Sequence, residues 1–438
     1  MSPIPMLPLL LQREHFPRAE LDSLKPSLRP GQVLYGRVEE LYHNETALVR
    51  FGKFQVQAQL QTPLAAGGSY WFQVQAGGTD DVQLRVIASP EQNKPAAASI
   101  LREFHLPETK VNKQLLQFFL EKNLPLTAET LKAASEWFHS KVDMAKGLTA
   151  LEYMLKRDLP LTEQTFQALV AVQEEKSFVT ELKQLQQFLT HPRLESFKTI
   201  APLKQEITEM MRTGFIDSNN VKFSSGEEVK LLLKDVIQRL GLTYENDLAL
   251  WSQGSQAGRE QPKSLDSLKP LLMSAMAELG SNGEKLEPLL QRITGMQLIS
   301  QDPAAPVQQL LMQLPLSFGG MESDVTIQWN GRKKSNGQLD PEHCRVLFFL
   351  ELQHLNETMI DMVVQNKVVH LTVSNDTEGI EQIVTMLKPV LKDKLEQTGY
   401  HLSFIHVKPF FKEEIQEFHQ VQSTALPLEQ YQGVDIKI

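Results

Sequence analysis

The chain has 438 residues, of which 41% are hydrophobic and 22% charged, and its formal net charge is −9. Its length predicts several domains, and its composition excludes wholesale disorder, while the negative charge argues against a broad nucleic-acid-binding surface. The single cysteine excludes an intrachain disulfide and a multi-cysteine zinc site, and no apolar run approaches the ~20 residues that span a bilayer. Residues 1–30 are a predicted tail, and their apolar start lacks the basic leader and cleavage site of a signal peptide.

A small β-barrel is predicted over residues 31–90. In FQVQAQLQ (54–61) apolar residues alternate with glutamines, which places them on opposite faces of a strand. SYWFQVQA and VQLRVIA repeat the alternation, Gly52-Lys53 has the form of a hairpin turn, and 63–68 and 77–81 are turn-rich. About five strands in sixty residues are typical of a closed barrel of OB-like type.

A helical repeat domain is predicted over residues 99–190, where the phrase LPLT occurs twice, at 124–127 and 159–162. Each proline stops the preceding helix, and Thr127 or Thr162 is suited to cap the next one. The leucine before the cap and the apolar residue five positions later have the spacing of a hydrophobic staple. We therefore interpret the phrases as marks of a duplicated helix pair. HLPET (105–109) shares letters with them, but we expect it to lack their spacing and staple.

A second helical region is predicted over residues 200–312, with 251–264 as a linker. A compact α+β domain follows over 318–412, and 413–438 are a predicted tail. In this last domain MIDMVV and VVHLTVS flank the turn QNK as a hairpin, and an amphipathic helix begins near Ile380. Its predicted apolar stripe consists of Ile380, Ile383, Val384, Leu387, Leu391 and Leu395.

Motifs for catalysis, cofactors or metals are missing from the sequence: it has no P-loop, no dinucleotide fingerprint, no nucleophile elbow and no zincin motif. His401 and His406 lie five positions apart on one predicted strand, so they are expected on opposite faces. Cys344 is expected to be a buried structural cysteine. The basic stretch NGRKKSNG (330–337) is interpreted as a solvated hairpin tip, although contact with a phosphate backbone or an acidic partner is an alternative.

The predicted barrel has two interpretations, because OB-like barrels often bind single strands through aromatic residues and a basic groove. Arg37, Arg50, Lys53 and Arg85 are offset here by five acidic residues, and most aromatic residues fall on the inner face. A structural core or a protein contact is therefore favoured over a nucleic-acid site.

The last domain resembles the C-terminal domain of flagellar hook-length control proteins. FFLELQHLNETMIDMVVQNKVVHLTVSN (348–375) and LKDKLEQTGYHLSFIHV (391–407) carry the resemblance. The LPLT helix pairs also resemble those of hook-length control-like proteins of Gram-positive bacteria. The resemblance implies a non-enzymatic role in flagellar type III export, in which the C-terminal domain binds the cytoplasmic part of the export gate and switches substrate specificity. It also implies that the chain is cytoplasmic and itself exported through the flagellar apparatus.

The partner-binding segment implied by the resemblance is the exposed edge or hairpin of the sheet around Leu355 to Val364. The candidate contact residues are Leu355, Asn356, Met359, Met362, Gly399 and Tyr400. Asn356 stands where the family commonly has glycine, and the chain lacks the family's long, low-complexity ruler segment. The alternatives are a nucleic-acid-binding module that uses the barrel and a general scaffold without an export role.

Overall fold

The protein is described by a computed structural model. The described residues are 28, 30–42, 46–51, 54–75, 82–88, 96–122, 124–138, 142–174, 176–213, 226–253, 263–300, 307–318, 321–334, 339–352 and 354–410. They form two compact units, one before residue 303, which contains the barrel and the helices, and one after it, which contains a second sheet. The predicted tail 413–438 and nearly all of the predicted tail 1–30 lie outside the described residues, as do Gly52-Lys53, the turn 77–81 and most of the linker.

The N-terminal β-barrel is confirmed. Its strands are β1 (Val33–Leu41), β2 (Thr46–Phe51), β3 (Phe54–Leu60), β4 (Ser69–Gln75) and β5 (Val82–Ala88). They close in the order β1-β2-β3-β5-β4, with β3 and β5 parallel and the other neighbours antiparallel. The predicted alternation positions the core, because Ala58, Leu60, Phe72, Val74 and Leu84 are all buried.

Eleven α-helices occupy the described residues between the barrel and the second sheet. They are α1 (Ala96–Glu103), α2 (Lys110–Glu121), α3 (Ala128–Trp137), α4 (Met144–Lys156), α5 (Glu163–Ala171), α6 (Phe178–Leu189), α7 (Ile200–Thr213), α8 (Gly226–Leu240), α9 (Tyr244–Gln253), α10 (Leu268–Leu279) and α11 (Glu287–Ser300). Short 3₁₀ segments at Pro192–Leu194, Lys263–Asp266 and Gly280–Lys285 separate some of them.

The two LPLT phrases start helices as predicted. The hydroxyl of Thr127 accepts the N–H of Thr130 at 3.1 Å, and that of Thr162 accepts the N–H of Thr165 at 3.2 Å. The backbone ahead of the second phrase turns sharply, since Asp158 has φ 49° and the Leu159 N–H donates to the Met154 carbonyl at 2.9 Å. This closure satisfies a carbonyl at the end of one helix before the cap opens the next.

HLPET forms the same kind of junction, although it lacks the spacing and the staple of the two phrases, as expected. His105 has φ 57°, the Leu106 N–H donates to the Leu101 carbonyl at 2.9 Å, and the hydroxyl of Thr109 accepts the N–H of Asn112 at 3.1 Å. The three junctions share the sequence Leu-Pro-x-Thr, where x is any residue. The second leucine of LPLT is therefore not needed for the turn and the cap. The sequence comparison missed the third junction because it gave weight to a staple that the turn does not need.

The second leucine has a different role in the first phrase. The Val33 N–H of β1 donates to the Leu126 carbonyl at 2.7 Å, and the two residues form an isolated antiparallel bridge. Leu126 is consequently 1% exposed, whereas Leu161 in the second phrase is 39% exposed. The first phrase therefore joins the barrel to the helices in addition to starting α3.

Packing of α11 against α5 and α6 joins the two predicted helical regions within one unit. Gly295 lets α11 approach α5 so closely that a Cβ there would lie 2.2 Å from the Ala168 carbonyl oxygen. On the same helix the buried Arg292 pairs with Glu181 of α6 at 3.1 Å and donates to the Lys176 carbonyl at 2.5 Å. These contacts span more than a hundred residues of sequence, and no local pattern predicts them.

The start of α7 is capped by a carboxylate from α10. Glu278 accepts the hydroxyl of Thr199 at 2.5 Å and the N–H groups of Thr199 and Lys198 at 2.9 and 3.1 Å. The hydrogen bond from the Thr199 hydroxyl, followed by that from the Thr199 N–H, holds the pKa of Glu278 below its ordinary value of 4.5. A carboxylate at a helix N-terminus is also favoured by the helix dipole.

A pH-dependent contribution to stability follows from the cap. Because the folded-state pKa of Glu278 is depressed, the contribution is present above the ordinary glutamate pKa and is lost as the pH falls through the folded-state value. Glu278→Gln is expected to lower the urea midpoint at pH 7, and the difference from the natural chain is expected to shrink towards pH 3. Glu284→Gln, at an exposed position nearby, is the control, and an equal loss at pH 7 in both variants would contradict the cap.

The second unit is a six-stranded sheet with one helix. The elements are β6 (Val307–Phe318), β7 (Met321–Lys333), β8 (Leu339–Leu352), β9 (Asn356–Gln365), β10 (Val368–Ser374), α12 (Ile380–Gln397) and β11 (His401–Lys408). The order is β11-β10-β9-β8-β7-β6, antiparallel except for the parallel pair β10–β11 that α12 connects. Residues 307–312, which the sequence assigns to the helical region, belong to β6, because the apolar LLM in this segment fits a buried strand as well as a helix.

Candidate protein-binding surface

Helix α12 has a wider apolar arc than its contact with the sheet requires. Ile380 is buried and Val384, Leu391 and Leu395 are half-buried, and these four positions form one stripe of the helix. At 100° per residue a second stripe lies beside the first. We call it the exposed stripe, and it comprises Ile383, Met386, Leu387 and Val390.

The exposed stripe is a run of large apolar side chains in contact with solvent. Ile383 is 40% exposed, Leu387 and Val390 are each 55% exposed, and Met386 is 75% exposed. Their spacing of i, i+3, i+4 and i+7 places them along one line of the helix. Of the six residues in the predicted apolar stripe, Ile383 and Leu387 are exposed, whereas the other four are buried or half-buried.

The six predicted contact residues do not form one site. Leu355 and Asn356 lie in the β8–β9 turn, beside Asn375, whose side-chain amide donates to the Leu355 carbonyl at 2.5 Å. Gly399 and Tyr400 precede β11, at the opposite end of the sheet, where the His401 N–H donates to the Lys367 carbonyl.

Met359 and Met362 both belong to β9 but are three positions apart, so their side chains leave opposite faces. Met359 is buried and Met362 is half-buried. Strand β9 is paired on both sides, with β8 and β10, so the segment from Leu355 to Val364 is not an exposed edge. It belongs to the β8–β9 and β9–β10 hairpins, which is the other form that was expected. The edges of the described sheet are β6 and β11. Sequence alternation identifies strands but not their order in a sheet, which explains the error.

The turn at Asn356 has the conformation that glycine favours. Asn356 has φ 51°, in the left-handed region that asparagine tolerates better than most residues. Asparagine is therefore compatible with the backbone conformation of this turn.

The stability of variants at Asn356 is expected to depend on how well the new residue tolerates a positive φ. Asn356→Gly should change the free energy of unfolding by less than ~1 kcal/mol, whereas Asn356→Val should lower it by roughly 1–2 kcal/mol, because a β-branched residue is strained at this φ. Urea unfolding of the three chains measures the difference. Equal stability of the glycine and valine variants would contradict the assigned conformation.

His401 and His406 lie on the same face of β11, contrary to the prediction. Val369 pairs with Leu402 but His370 pairs with Phe404, so β11 carries one extra residue at this point. The irregularity reverses the alternation for the rest of the strand, and His401 and His406 therefore pair with Val368 and Thr372, which share a face. A bulge of this kind leaves no mark in the period-two pattern of the sequence.

The described residues contain one buried free cysteine and no cluster of metal ligands. Cys344 is buried as predicted, and burial raises the pKa of its thiol, which opposes thiolate formation. No group of three or more histidine, cysteine, aspartate or glutamate side chains among the described residues is arranged to hold a metal ion. Within the same residues, no helix has the length and apolarity needed to cross a membrane.

The outer surface of the barrel carries basic, acidic, amide and aromatic side chains. Arg37 and Arg50 are directly opposite each other on β1 and β2, but Arg50 pairs with Glu39 at 2.9 Å. Glu39 also accepts the side-chain amide of Gln55 at 2.5 Å, and β3 presents further glutamines at exposed positions. Exposed Tyr35 on β1 and half-buried Trp71 on β4 form an aromatic pair with 4.8 Å between ring centroids. Strands β2 and β3, which bind oligonucleotides in OB-folds, carry no outward-facing aromatic side chain at the described positions.

The fold defines a multidomain α+β protein with an OB-like closed barrel, a helical middle and a sheet domain that carries one exposed helix face. Residues 18–85 match the family model of the TP0910 S1-like domain, which agrees with the closed barrel. Over 140 residues the chain is 34% identical to the uncharacterized protein YlqG of Bacillus subtilis (strain 168). That match covers 31% of this chain and only 24% of the relative. No solved structure matches the chain.

Proposed function

We propose that the chain is a non-enzymatic, hook-length control-like protein whose C-terminal unit binds the cytoplasmic domain of the flagellar export gate and switches its substrate specificity. The observation that carries the protein-binding part is the exposed stripe of α12. The choice of partner comes from the resemblance of residues 340–408 to hook-length control domains. The chain acts in the cytoplasm in this proposal, and export of the chain itself is compatible with it.

The exposed stripe has the properties of a helical docking surface. Burying a fully exposed large apolar side chain is worth about 1.5–3 kcal/mol, so four partly exposed ones can contribute much of the free energy of a specific complex. Contiguous exposed apolar patches commonly mark interaction sites, whereas single exposed residues do not. Recognition of an amphipathic helix through anchors at i, i+3, i+4 and i+7 is a recurrent mode of protein binding. Because the backbone of β9 is already paired with β8 and β10, it cannot add a strand from a partner. The proposed contact is therefore made by side chains of α12 rather than by backbone groups around Leu355.

A binding measurement with matched variants tests this proposal. The full chain is titrated with the purified cytoplasmic domain of the export gate from the same genome. Leu387→Lys is expected to weaken binding at least about tenfold, because it places a charge within the contact. Thr385→Lys adds the same side chain on the exposed polar arc of the same helix and is expected to leave the affinity unchanged. No binding by the natural chain, or equal binding by both variants, would contradict the proposal.

Nucleic-acid binding by the barrel is a second candidate, favoured by the match of residues 18–85 to an S1-like domain. Exposed Tyr35 and the opposed Arg37 and Arg50 supply one aromatic and two cationic groups on the outer surface. The ion pair of Arg50 with Glu39 and the glutamines of β3 weaken the electrostatic contribution. This candidate predicts single-strand affinity that falls steeply with salt and is lost when Arg37, Arg50 and Lys53 are replaced by glutamate. Absent or salt-insensitive binding would exclude it.

A further inference from the structure

We propose that β11 is a further docking surface, onto which an extended, acidic segment of another protein adds as a new strand of the sheet. This surface is distinct from the exposed stripe of α12. It goes beyond the proposed function, because its partner need not be the export gate.

Strand β11 is the accessible edge of the described sheet. One side of β11 pairs with β10, and no described strand pairs with its other side. An edge strand presents backbone N–H and C=O groups with which a further strand can pair. His401 and His406 are exposed, and Phe404 is 48% exposed. The opposite edge, β6, differs because side chains on both of its faces are buried, as the consecutive residues Gln313 and Leu314 show.

The bulge in β11 collects three exposed side chains on one face of the sheet. His401, Phe404 and His406 lie opposite alternate residues of β10, which are Val368, His370 and Thr372. The ring of His370 lies against that of Phe404, with 4.6 Å between their centroids. A strand added to β11 would therefore meet an aromatic ring flanked by two imidazoles on this face.

Strand β11 contains no carboxylate, although the whole chain has a formal net charge of −9. Its titratable side chains are His401, His406 and Lys408. On the same face, Asp361 of β9 is held by two hydrogen bonds from Arg345, at 2.9 and 2.6 Å. An imidazole donates its N–H to a carboxylate, and the carboxylate stabilises its protonated form. Acidic side chains at alternate positions of a partner strand therefore complement this face.

These features favour an acidic polypeptide over two other occupants. A second copy of β11 would bring only imidazoles and a lysine to the edge, with no carboxylate to meet them. A nucleic-acid strand carries the right sign of charge, but its backbone lacks the alternating N–H and C=O groups that pair with a strand edge. An extended acidic segment supplies both the backbone groups and the charge.

Peptides of defined sequence test the docking of an acidic strand. The full chain is titrated with a fluorescent peptide of alternating glutamate and valine, eight residues long to match β11, and with one of alternating lysine and valine. The glutamate peptide is expected to bind at least about tenfold more tightly than the lysine peptide. N-methylation of every peptide bond in the glutamate peptide removes its backbone donors and is expected to weaken its binding at least about tenfold.

A charge reversal on β11 supplies the matched protein variants. His401→Glu with His406→Glu is expected to weaken binding of the glutamate peptide at least about tenfold and to tighten binding of the lysine peptide. Gln382→Glu with Thr385→Glu adds the same two carboxylates at exposed positions of α12. This second variant is expected to leave both affinities unchanged.

Several results would overturn the proposed strand addition. They are the absence of peptide binding, equal affinity for the glutamate and lysine peptides, undiminished binding of the N-methylated peptide, and equal effects of the two double variants. Displacement of the peptide by single-stranded oligothymidylate would assign the face to nucleic acid, and loss of peptide binding at high protein concentration would assign the edge to a second copy. The assay contains no export-gate domain, so its failure and the failure of the proposed function are separate results.

Discussion

Replacing Gly295 with alanine is expected to destabilise the first unit more than any other single methyl addition in α11. A Cβ at this position would lie 2.0 Å from a methyl carbon of Val172 and 2.2 Å from the Ala168 carbonyl oxygen, and the latter is backbone that cannot rotate away. Overpacking of a core typically lowers the free energy of unfolding by about 1–3 kcal/mol. A clash with backbone atoms is expected to cost at least the upper value of this range. The higher helix propensity of alanine relative to glycine stabilises the helix by only about 1 kcal/mol. We therefore expect a net loss of roughly 2 kcal/mol or more.

Urea unfolding followed by far-ultraviolet circular dichroism measures this loss, and Thr294→Ala is the control. Thr294 is the neighbouring half-buried residue, and its hydroxyl only back-bonds to the Leu290 carbonyl at 2.9 Å, so its replacement should cost less than ~1 kcal/mol. If Gly295→Ala is as stable as Thr294→Ala, the close approach of α11 to α5 is wrong. That outcome would also remove the main contact that joins the two helical regions.

Removing the carboxylate of Glu181 is expected to cost about 3 kcal/mol. Glu181 and Arg292 form an ion pair at 3.1 Å whose side chains are only 11% and 4% exposed. Arg292 also donates to the Lys176 carbonyl and lies over the ring of Phe178. Truncating one partner of a buried pair leaves the other charge desolvated, at a typical cost of about 3–5 kcal/mol.

Glu174→Ala is the matched control, because Glu174 forms an ion pair of similar length with Lys146 but is 48% exposed. Exposed pairs typically contribute less than about 1 kcal/mol. Unfolding of Glu181→Ala, Arg292→Met and the double variant completes a cycle, and the double variant is expected to be more stable than the sum of the single losses predicts. Additive losses, or equal losses in Glu181→Ala and Glu174→Ala, would show that the pair is not buried as described.

Local patterns predicted the elements of this protein well. The glutamine alternation of residues 54–61 identified β3 and its inner face, and the turn QNK placed the β9–β10 hairpin, where Asn366 and Lys367 have positive φ. Prolines and threonines marked where α3 and α5 begin. Each of these signals acts within a few residues, through sterics, capping or the period of side-chain directions, so sequence spacing alone carries it.

Most of the errors involve contacts between distant segments. The extra residue in β11 changed the face of His406, the pairing of β9 on both sides removed the expected edge, and α12 covers the sheet with half of its apolar arc. The candidate contact residues from Leu355 to Tyr400 were chosen from a resemblance along the chain, whereas the exposed stripe is defined by what α12 does not contact. Solvent exposure of an apolar residue depends on its neighbours in space, and a hydrophobic period cannot separate a buried stripe from an exposed one.

The sequence by itself determined where most helices and strands begin, the closed-barrel character of the N-terminal residues and the buried state of Cys344. These properties depend on backbone preferences and on side-chain period, which are local. Only the tertiary structure decided that Leu126 binds the barrel while Leu161 is exposed, and that Gly295 and Arg292 unite the two helical regions. It also decided which apolar residues of α12 are available to a partner. These properties depend on which distant surfaces meet, and the same phrase or stripe acquires different contacts according to its place in the fold.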